Sequence, residues 1–379
     1  MKSATLQLDP ALASALAAGH PWVYRNHLPP NRLQSGDWVR LMAGKAQAVG
    51  VYDEEGQIAV RVYDPRRLPN SAWLAARVGE ALELRRKLIP PATDAYRLIF
   101  GEGDYLPGLV ADRYGRYLVI KSYSPGVTRA VLPGVTKALG RALRPRGIAL
   151  RRTEGLEPLY GELPPPEVTV REYGLRFLAN LHQGQKTGLF LDQRENRRTV
   201  RELAAGARVL NLFAYNGGFS VYALAGGATF VRSVDVSAAA LRDAARNAVL
   251  NGFNEGHETL VADVFEFLPQ HQESYDLIVV DPPSLARNKN QRRAALRAYT
   301  RLNALALARL RPGGLLATAS CTAQVGPGEF RQALAAAARR AGVRTQIVHQ
   351  AGHAADHPLR PEFPEGSYLK FVVLRLLAD

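Results

Sequence analysis

The residues best suited to chemistry are three carboxylates and one thiol: Asp235, Asp263, Asp281 and Cys321, the only cysteine of the chain. Each closes a short apolar run whose composition predicts a buried strand, at 229–234, 259–262, 276–280 and 314–320. Carboxylates at successive strand ends line the crevice in which open α/β sheets bind ligands. One at the end of the second strand can accept both ribose hydroxyls of an adenosine. The plain alternative for any one of them is a helix N-cap. Ahead of them, 209–213 reads as a strand, 215–218 as a tight turn and 219–225 as a helix start. Gly217 and Gly218 lack a Cβ, so backbone can approach a ligand there. The turn is not GxGxxG and no lysine follows it, which argues against a dinucleotide or a nucleoside triphosphate. A cysteine in an apolar strand is ordinarily core. Cys321, at a strand's carboxyl end, beside the Asp281 strand and across from the glycine turn, reads instead as a nucleophile.

This order of elements resembles the class I S-adenosylmethionine-dependent methyltransferases, whose seven-stranded sheet binds the cofactor over its first strand. The resemblance implies S-adenosyl-L-methionine lying over Asn211, Phe213, Tyr215, Asn216, Gly217 and Gly218. It also implies Asp235 on the ribose and Asp263 near the adenine amine. Asp281-Pro-Pro-Ser284 resembles the tetrapeptide of amino-group methyltransferases, in which the acid and the carbonyl before the second proline hold an exocyclic amine. There an aromatic residue follows and stacks on the base; Ser284 cannot stack, which argues against transfer to an exocyclic amine.

Gln185-Lys-Thr-Gly188 with Phe190-Leu-Asp-Gln-Arg194 is nearly identical to a segment of the bacterial large-subunit ribosomal RNA 5-methylcytosine methyltransferases. By that resemblance Gln185, Thr187, Gly188, Asp192 and Arg194 shape the cofactor edge and the target pocket, and Asp281 serves both cofactor and base. The tail Asp356-His-Pro, followed by Tyr368-Leu-Lys370, is similar to the family's terminal signature. The piece Glu102-Gly-Asp-Tyr-Leu-Pro-Gly resembles its middle domain, departing at Tyr105, where a glycine is usual. The family chemistry explains the thiol. C5 of a pyrimidine is a poor nucleophile, and a thiolate adding to C6 makes C5 reactive. Asp281 would hydrogen-bond N3 or the amine of cytosine. A related guanine methyltransferase activity, which needs no thiol, and a non-catalytic RNA-binding assembly factor are the alternatives. His357 could be a base, but a lone histidine beside prolines reads as structural or RNA-facing.

The elements that must position these groups fall into three stretches of a 379-residue chain. Residues 1–70 hold short β-rich runs around His20-Pro-Trp22 and Gly36-Asp-Trp-Val39 and resemble the PUA domain, a small RNA-binding β-barrel. Residues 71–179 read as an α+β middle domain that serves as substrate platform, with a helix at 72–88. Residues 180–379 would form the α/β, Rossmann-like methyltransferase domain. A net charge of +15 points to a polyanion. No stretch is long enough to span a membrane, so nucleic acid is the better partner, and the family resemblance implies 23S ribosomal RNA. Arg194, Arg197, Arg198 and Arg201 recur at helical spacing and predict a cationic stripe for phosphates. One cysteine excludes internal disulfides and cysteine-cluster zinc, so no metal is expected and a reducing cytoplasm fits. A homodimer is compatible with all of this.

Overall fold

The structure, a computed structural model, describes residues 4–184 and 186–377. All four strand-end groups lie in one of its two compact units, made of Arg171–Leu178, Asp192–Ala354 and Ser367–Asp379. Its strands are β1 (Arg208–Leu212), β2 (Phe230–Asp235), β3 (His257–Val261), β4 (Tyr275–Val280), β5 (Leu310–Ser320), β6 (Thr345–Ala351) and β7 (Lys370–Leu376). They form a seven-stranded sheet in the order β3-β2-β1-β4-β5-β7-β6. β1 to β5 are parallel, and β7 is inserted antiparallel between β5 and β6.

Helices cover both faces: α1 (Arg194–Leu203), α2 (Gly218–Ala225), α3 (Ala238–Leu250), α4 (Val264–Gln270), α5 (Arg292–Leu307) and α6 (Pro327–Ala341). The two-residue period of the strands sorts their side chains. Val209, Leu277, Val279 and Ala317 join Val200 of α1, Phe219 of α2 and Ala248 of α3. Leu210, Leu212, Ile278, Val280 and Leu316 join Leu268 of α4, Tyr299 of α5 and Phe330 of α6. β4 is buried on both faces, which is why it reads as one unbroken apolar run. Strand order reverses between β1 and β4, and that switch point opens the crevice at the carboxyl ends.

The other unit comprises Met1–Val170, Ala179–Leu191 and Ala355–Gly366, so the chain packs as two units where three stretches were expected. The reason is a shared core. One five-stranded sheet contains Trp38–Ala43, Ala46–Tyr52 and Ile58–Asp64; a second contains Ala95–Phe100, Leu109–Tyr114 and Tyr117–Ser122. Trp38, Val51 and Tyr63 of the first pack with Leu74, Val78 and Val135 of the helices Ser71–Leu88 and Leu132–Leu143, which also cover Leu98 and Ile120 of the second. Asp53 locks the join: it accepts from Arg61 at 2.6 Å and from the Gly126 amide at 2.7 Å. Asn70, at the expected boundary between the first two stretches, caps the helix by accepting from Trp73 N at 2.8 Å.

The tail segment threads this same unit. Asp356 accepts from Arg97 N at 2.8 Å, and its carbonyl accepts from Arg85 at 2.7 Å. His357 is buried against Asp356 at 3.1 Å and edge-on to Phe100, a structural role. Tyr105 sits at φ 58°, the left-handed conformation that glycine adopts without cost, and the Arg360 guanidinium covers its ring at 4.2 Å.

Candidate active site

The turn after β1 is held by backbone in an uncommon shape. Phe213, Tyr215 and Gly217 have φ of +59°, +49° and +76°. Two of these carry side chains, and such conformations persist only where the surroundings fix them. Here Ala214 N donates to Val234 O at 3.0 Å and Gly217 N to Ala214 O at 2.9 Å. Tyr215 N donates to Asp235 Oδ2 and Ser237 N to Asp235 Oδ1, both at 2.9 Å. The half-buried Asp235 thereby joins the turn to the start of α3, and each of its oxygens retains a lone pair for a hydroxyl donor. Asp263 is exposed and caps α4, accepting from Phe265 N at 2.7 Å.

On the side where each glycine lacks a Cβ, the backbone packs against the protein itself. A Cβ on Gly217 would lie 2.8 Å from the Ala244 Cβ of α3, and one on Gly218 would lie 3.1 Å from the Arg197 Cδ. The protein's own atoms fill both spaces. Asn216 is buried and its carbonyl accepts from Asn247 at 2.9 Å. Asn211 is also buried, and its amide donates to Ser220 Oγ at 2.8 Å. From there a chain runs to Ser233 at 2.7 Å and His257 at 2.8 Å, tying β1, α2, β2 and β3 together. Burial lowers the pKa of His257 and favours its neutral form.

Across the switch point, the ends of β4 and β5 meet. Cys321 is partly exposed, and its Sγ lies 3.9 Å from the carbonyl oxygen of Pro282 in the Asp-Pro-Pro segment. Asp281 is half-buried beside it; Ser284 is exposed and donates to Ala286 O at 3.1 Å. Thr322 stitches the segment down: its Oγ1 accepts from Leu285 N at 3.1 Å and shares a hydrogen bond with the Tyr299 hydroxyl at 2.8 Å. Burial pushes that phenol up to about 12, so it stays protonated. Lys370, at the start of β7, is 5% exposed and donates to Thr322 O at 2.8 Å. Sequence reasoning missed this lysine, since only the antiparallel insertion of β7 brings it beside residue 321.

The segment from Asn180 to Arg194 is divided between the units after Leu191. Gln185 lies outside the described residues. Thr187 and Gly188 are buried in the unit that holds the tail segment, where Thr187 pairs with Tyr114 and donates to Asp112 at 2.5 Å. Asp192 and Arg194 belong to the sheet unit; Asp192 is buried and accepts from the Tyr368 hydroxyl at 2.6 Å. Half of the expected cationic stripe is internal, while Arg198 is exposed and Arg201 half-buried. Arg194 is 0% exposed, and Arg197 is buried in a two-pronged pair with Glu172 at 2.8 and 2.7 Å. Desolvation opposes the Arg197 charge, but Glu172 outweighs it and raises the guanidinium pKa. Tyr222 adds a 3.0 Å bond to Glu172. Arg198 is exposed and pairs with Glu202 one turn along α1, while the Arg197–Glu172–Tyr222 contacts brace α1 to α2.

Among the described residues no group of three or more His, Cys, Asp or Glu could hold a metal, and no helix is long and apolar enough to cross a membrane. The strand order, the turn over β1 and the acids at the strand ends define a class I S-adenosylmethionine-dependent methyltransferase. A family model for S-adenosylmethionine-dependent methyltransferases matches residues 138–367, and one for PUA-like domains matches residues 6–65. The chain is 42% identical over 399 residues to a ribosomal RNA large subunit methyltransferase of Deinococcus radiodurans, covering 98% of this chain and 97% of that one. It is 38% identical over 383 residues to ribosomal RNA large subunit methyltransferase I of Klebsiella pneumoniae, covering 96% of each. The chain belongs to this ribosomal RNA large subunit methyltransferase family, and its methyl donor is S-adenosylmethionine. A Streptococcus mutans chain described as a SAM-dependent methyltransferase shares the fold, with a TM-score of 0.87 and 22% identity over 98% of this chain and 99% of that one.

Proposed function

We propose that this chain methylates C5 of a cytosine in large-subunit (23S) ribosomal RNA through a covalent adduct with Cys321. The observation that carries this reading is the approach of the chain's only thiol to the Pro282 carbonyl, beside Asp281, at adjoining ends of β4 and β5. An amino-group transfer would have no use for a nucleophile there. The relatives named for ribosomal RNA support the substrate class. The net charge of +15 supports a polyanion. With Arg194 and Arg197 buried, a further set of cations suited to phosphate contact gathers elsewhere. Lys137, Arg141, Arg144 and Arg152 line an open cavity of about 1020 Å³ with the exposed Tyr160, a surface suited to backbone contacts and base stacking. A reducing cytoplasm suits the RNA partner and the lone thiol.

Bound S-adenosylmethionine supplies an electrophilic methyl group. On this reading Asp235 accepts the ribose hydroxyls, Asp263 faces the adenine amine, and the turn at Phe213 to Gly218 forms the floor. The Cys321 thiolate forms a bond to C6 of a cytosine that has left its stack, and the electron pair moves toward C5. Asp281 holds N3 or the amine and offsets charge there. After C5 is methylated and sheds its proton to a base, the pair re-forms the C5–C6 double bond and the sulfur leaves. Cys321→Ala removes one small side chain, so cofactor and RNA binding should persist while transfer falls below detection. A Cys321→Ala variant that still methylates at full rate would favour the guanine reading. Failure of the wild type to bind the cofactor in calorimetry would favour a non-catalytic factor.

A further inference from the structure

Lysine is rarely buried unless its charge has a partner or a use. Lys370 is buried at the first position of β7, where its register partner in β5 is Ser320, the residue before Cys321. Its Nζ donates to the carbonyl of Thr322, the residue after Cys321, and to that of Tyr368, both at 2.8 Å. The thiol is therefore bracketed on both sides by contacts of one lysine. Two of the three N–H donors go to neutral carbonyls, so no carboxylate quenches the charge through these bonds.

The other groups around the sulfur work against a thiolate. The Pro282 carbonyl oxygen points at it from 3.9 Å, the Asp281 carboxylate closes the neighbouring strand, and the Tyr299 phenol from α5 adds only a neutral dipole. A thiol among oxygens would be pushed up. Resting on the reading of Cys321 as nucleophile, we propose that Lys370 is a positioning residue whose ammonium group holds the Cys321 segment and keeps its sulfur ionised. The thiol proton goes to solvent and the ammonium keeps its own, so charge and atoms balance. Burial lowers Lys370 to about 8, and the Cys321 thiolate is the one charge that raises it. The coupling is reciprocal, so the lysine must depress the thiol by the same interaction. Above pH about 8 the lysine loses its proton and the help ends.

Because the chain has one cysteine, alkylation by iodoacetamide reports this thiol alone. Its rate against pH in the full-length wild type should give an apparent pKa below the ordinary value of about 8.5. Lys370→Met, checked for fold by circular dichroism and for cofactor binding, should move the midpoint up by about one unit. That would slow alkylation about tenfold at neutral pH, and Lys370→Arg should restore part of it. A wild-type midpoint at or above about 8.5 would overturn the proposal without any variant, as would an unchanged profile in folded Lys370→Met. If the shift appears but Cys321→Ala still transfers methyl groups, the coupling stands and the nucleophile reading falls. If Cys321→Ala is dead and the profile does not move, only the role of Lys370 falls.

Discussion

The row of strand ends has two halves built on opposite principles. On the β1 to β3 side, Asp235, Asp263, the turn and the helix starts come from consecutive strand-turn-helix units, and backbone amides satisfy both carboxylates. On the β4, β5 and β7 side, Asp281, Cys321 and Lys370 come from distant stretches of chain, and a buried cation lies beside a thiol. Binding a common cofactor needs a fixed cradle, which local turns provide. On the proposed mechanism, reacting with C6 of a cytosine needs a nucleophile with a tuned charge, which takes groups drawn from several strands.

Breaking the cradle's foundation should cost most. Arg197→Met would leave the Glu172 carboxylate buried without its cation and should destabilise the sheet unit by about 3–5 kcal/mol in denaturant unfolding. The loss should appear with or without cofactor. Asp235→Ala should weaken cofactor binding in calorimetry by about 1.5–3 kcal/mol, while Asp263→Ala, a surface cap, should cost about 1 kcal/mol of stability and less affinity. Equal affinity losses for the two would mean that the adenine contact of Asp263 matters as much as the ribose contacts of Asp235. Comparable in size, Gly217→Ala would hold an alanine at the left-handed φ of +76° with its Cβ 2.8 Å from that of Ala244 in α3, and should cost about 1–3 kcal/mol of stability. Its thiol titration should match the wild type, since the two halves are separate devices.

The first half was legible in the sequence because its signals are local. An apolar run, a glycine pair and an acid at the next strand's end lie close together, and β1, α2 and β2 form where they were expected. What packs against the glycines was not legible, because Ala244 and Arg197 reach them only through the packing of α3 and α1. The arginine spacing misled for a related reason. A cationic helix face looks the same in sequence whether it meets RNA or, as here, Glu172 from the hairpin Glu167–Glu172 and Leu175–Asn180. Likewise the shared core of Trp38, Val51 and Leu74, which merges the first two stretches into one unit, leaves no mark on the linker between them. Cys321 could be placed at a strand end from its sequence alone; Lys370 could not be placed beside it, because antiparallel register is a property of the folded sheet.

The central claim is that Cys321 bonds to C6 of a cytosine, and a trap for that bond tests it most directly. Wild-type protein with S-adenosylmethionine and ribosomal RNA carrying 5-fluorocytosine should accumulate a covalent protein-RNA complex, because fluorine blocks loss of the C5 proton and so the release of sulfur. Mass spectrometry should locate the attached nucleotide on Cys321. Turnover of unmodified RNA with no complex on the fluorinated RNA, or a complex mapped to another residue, would contradict the account.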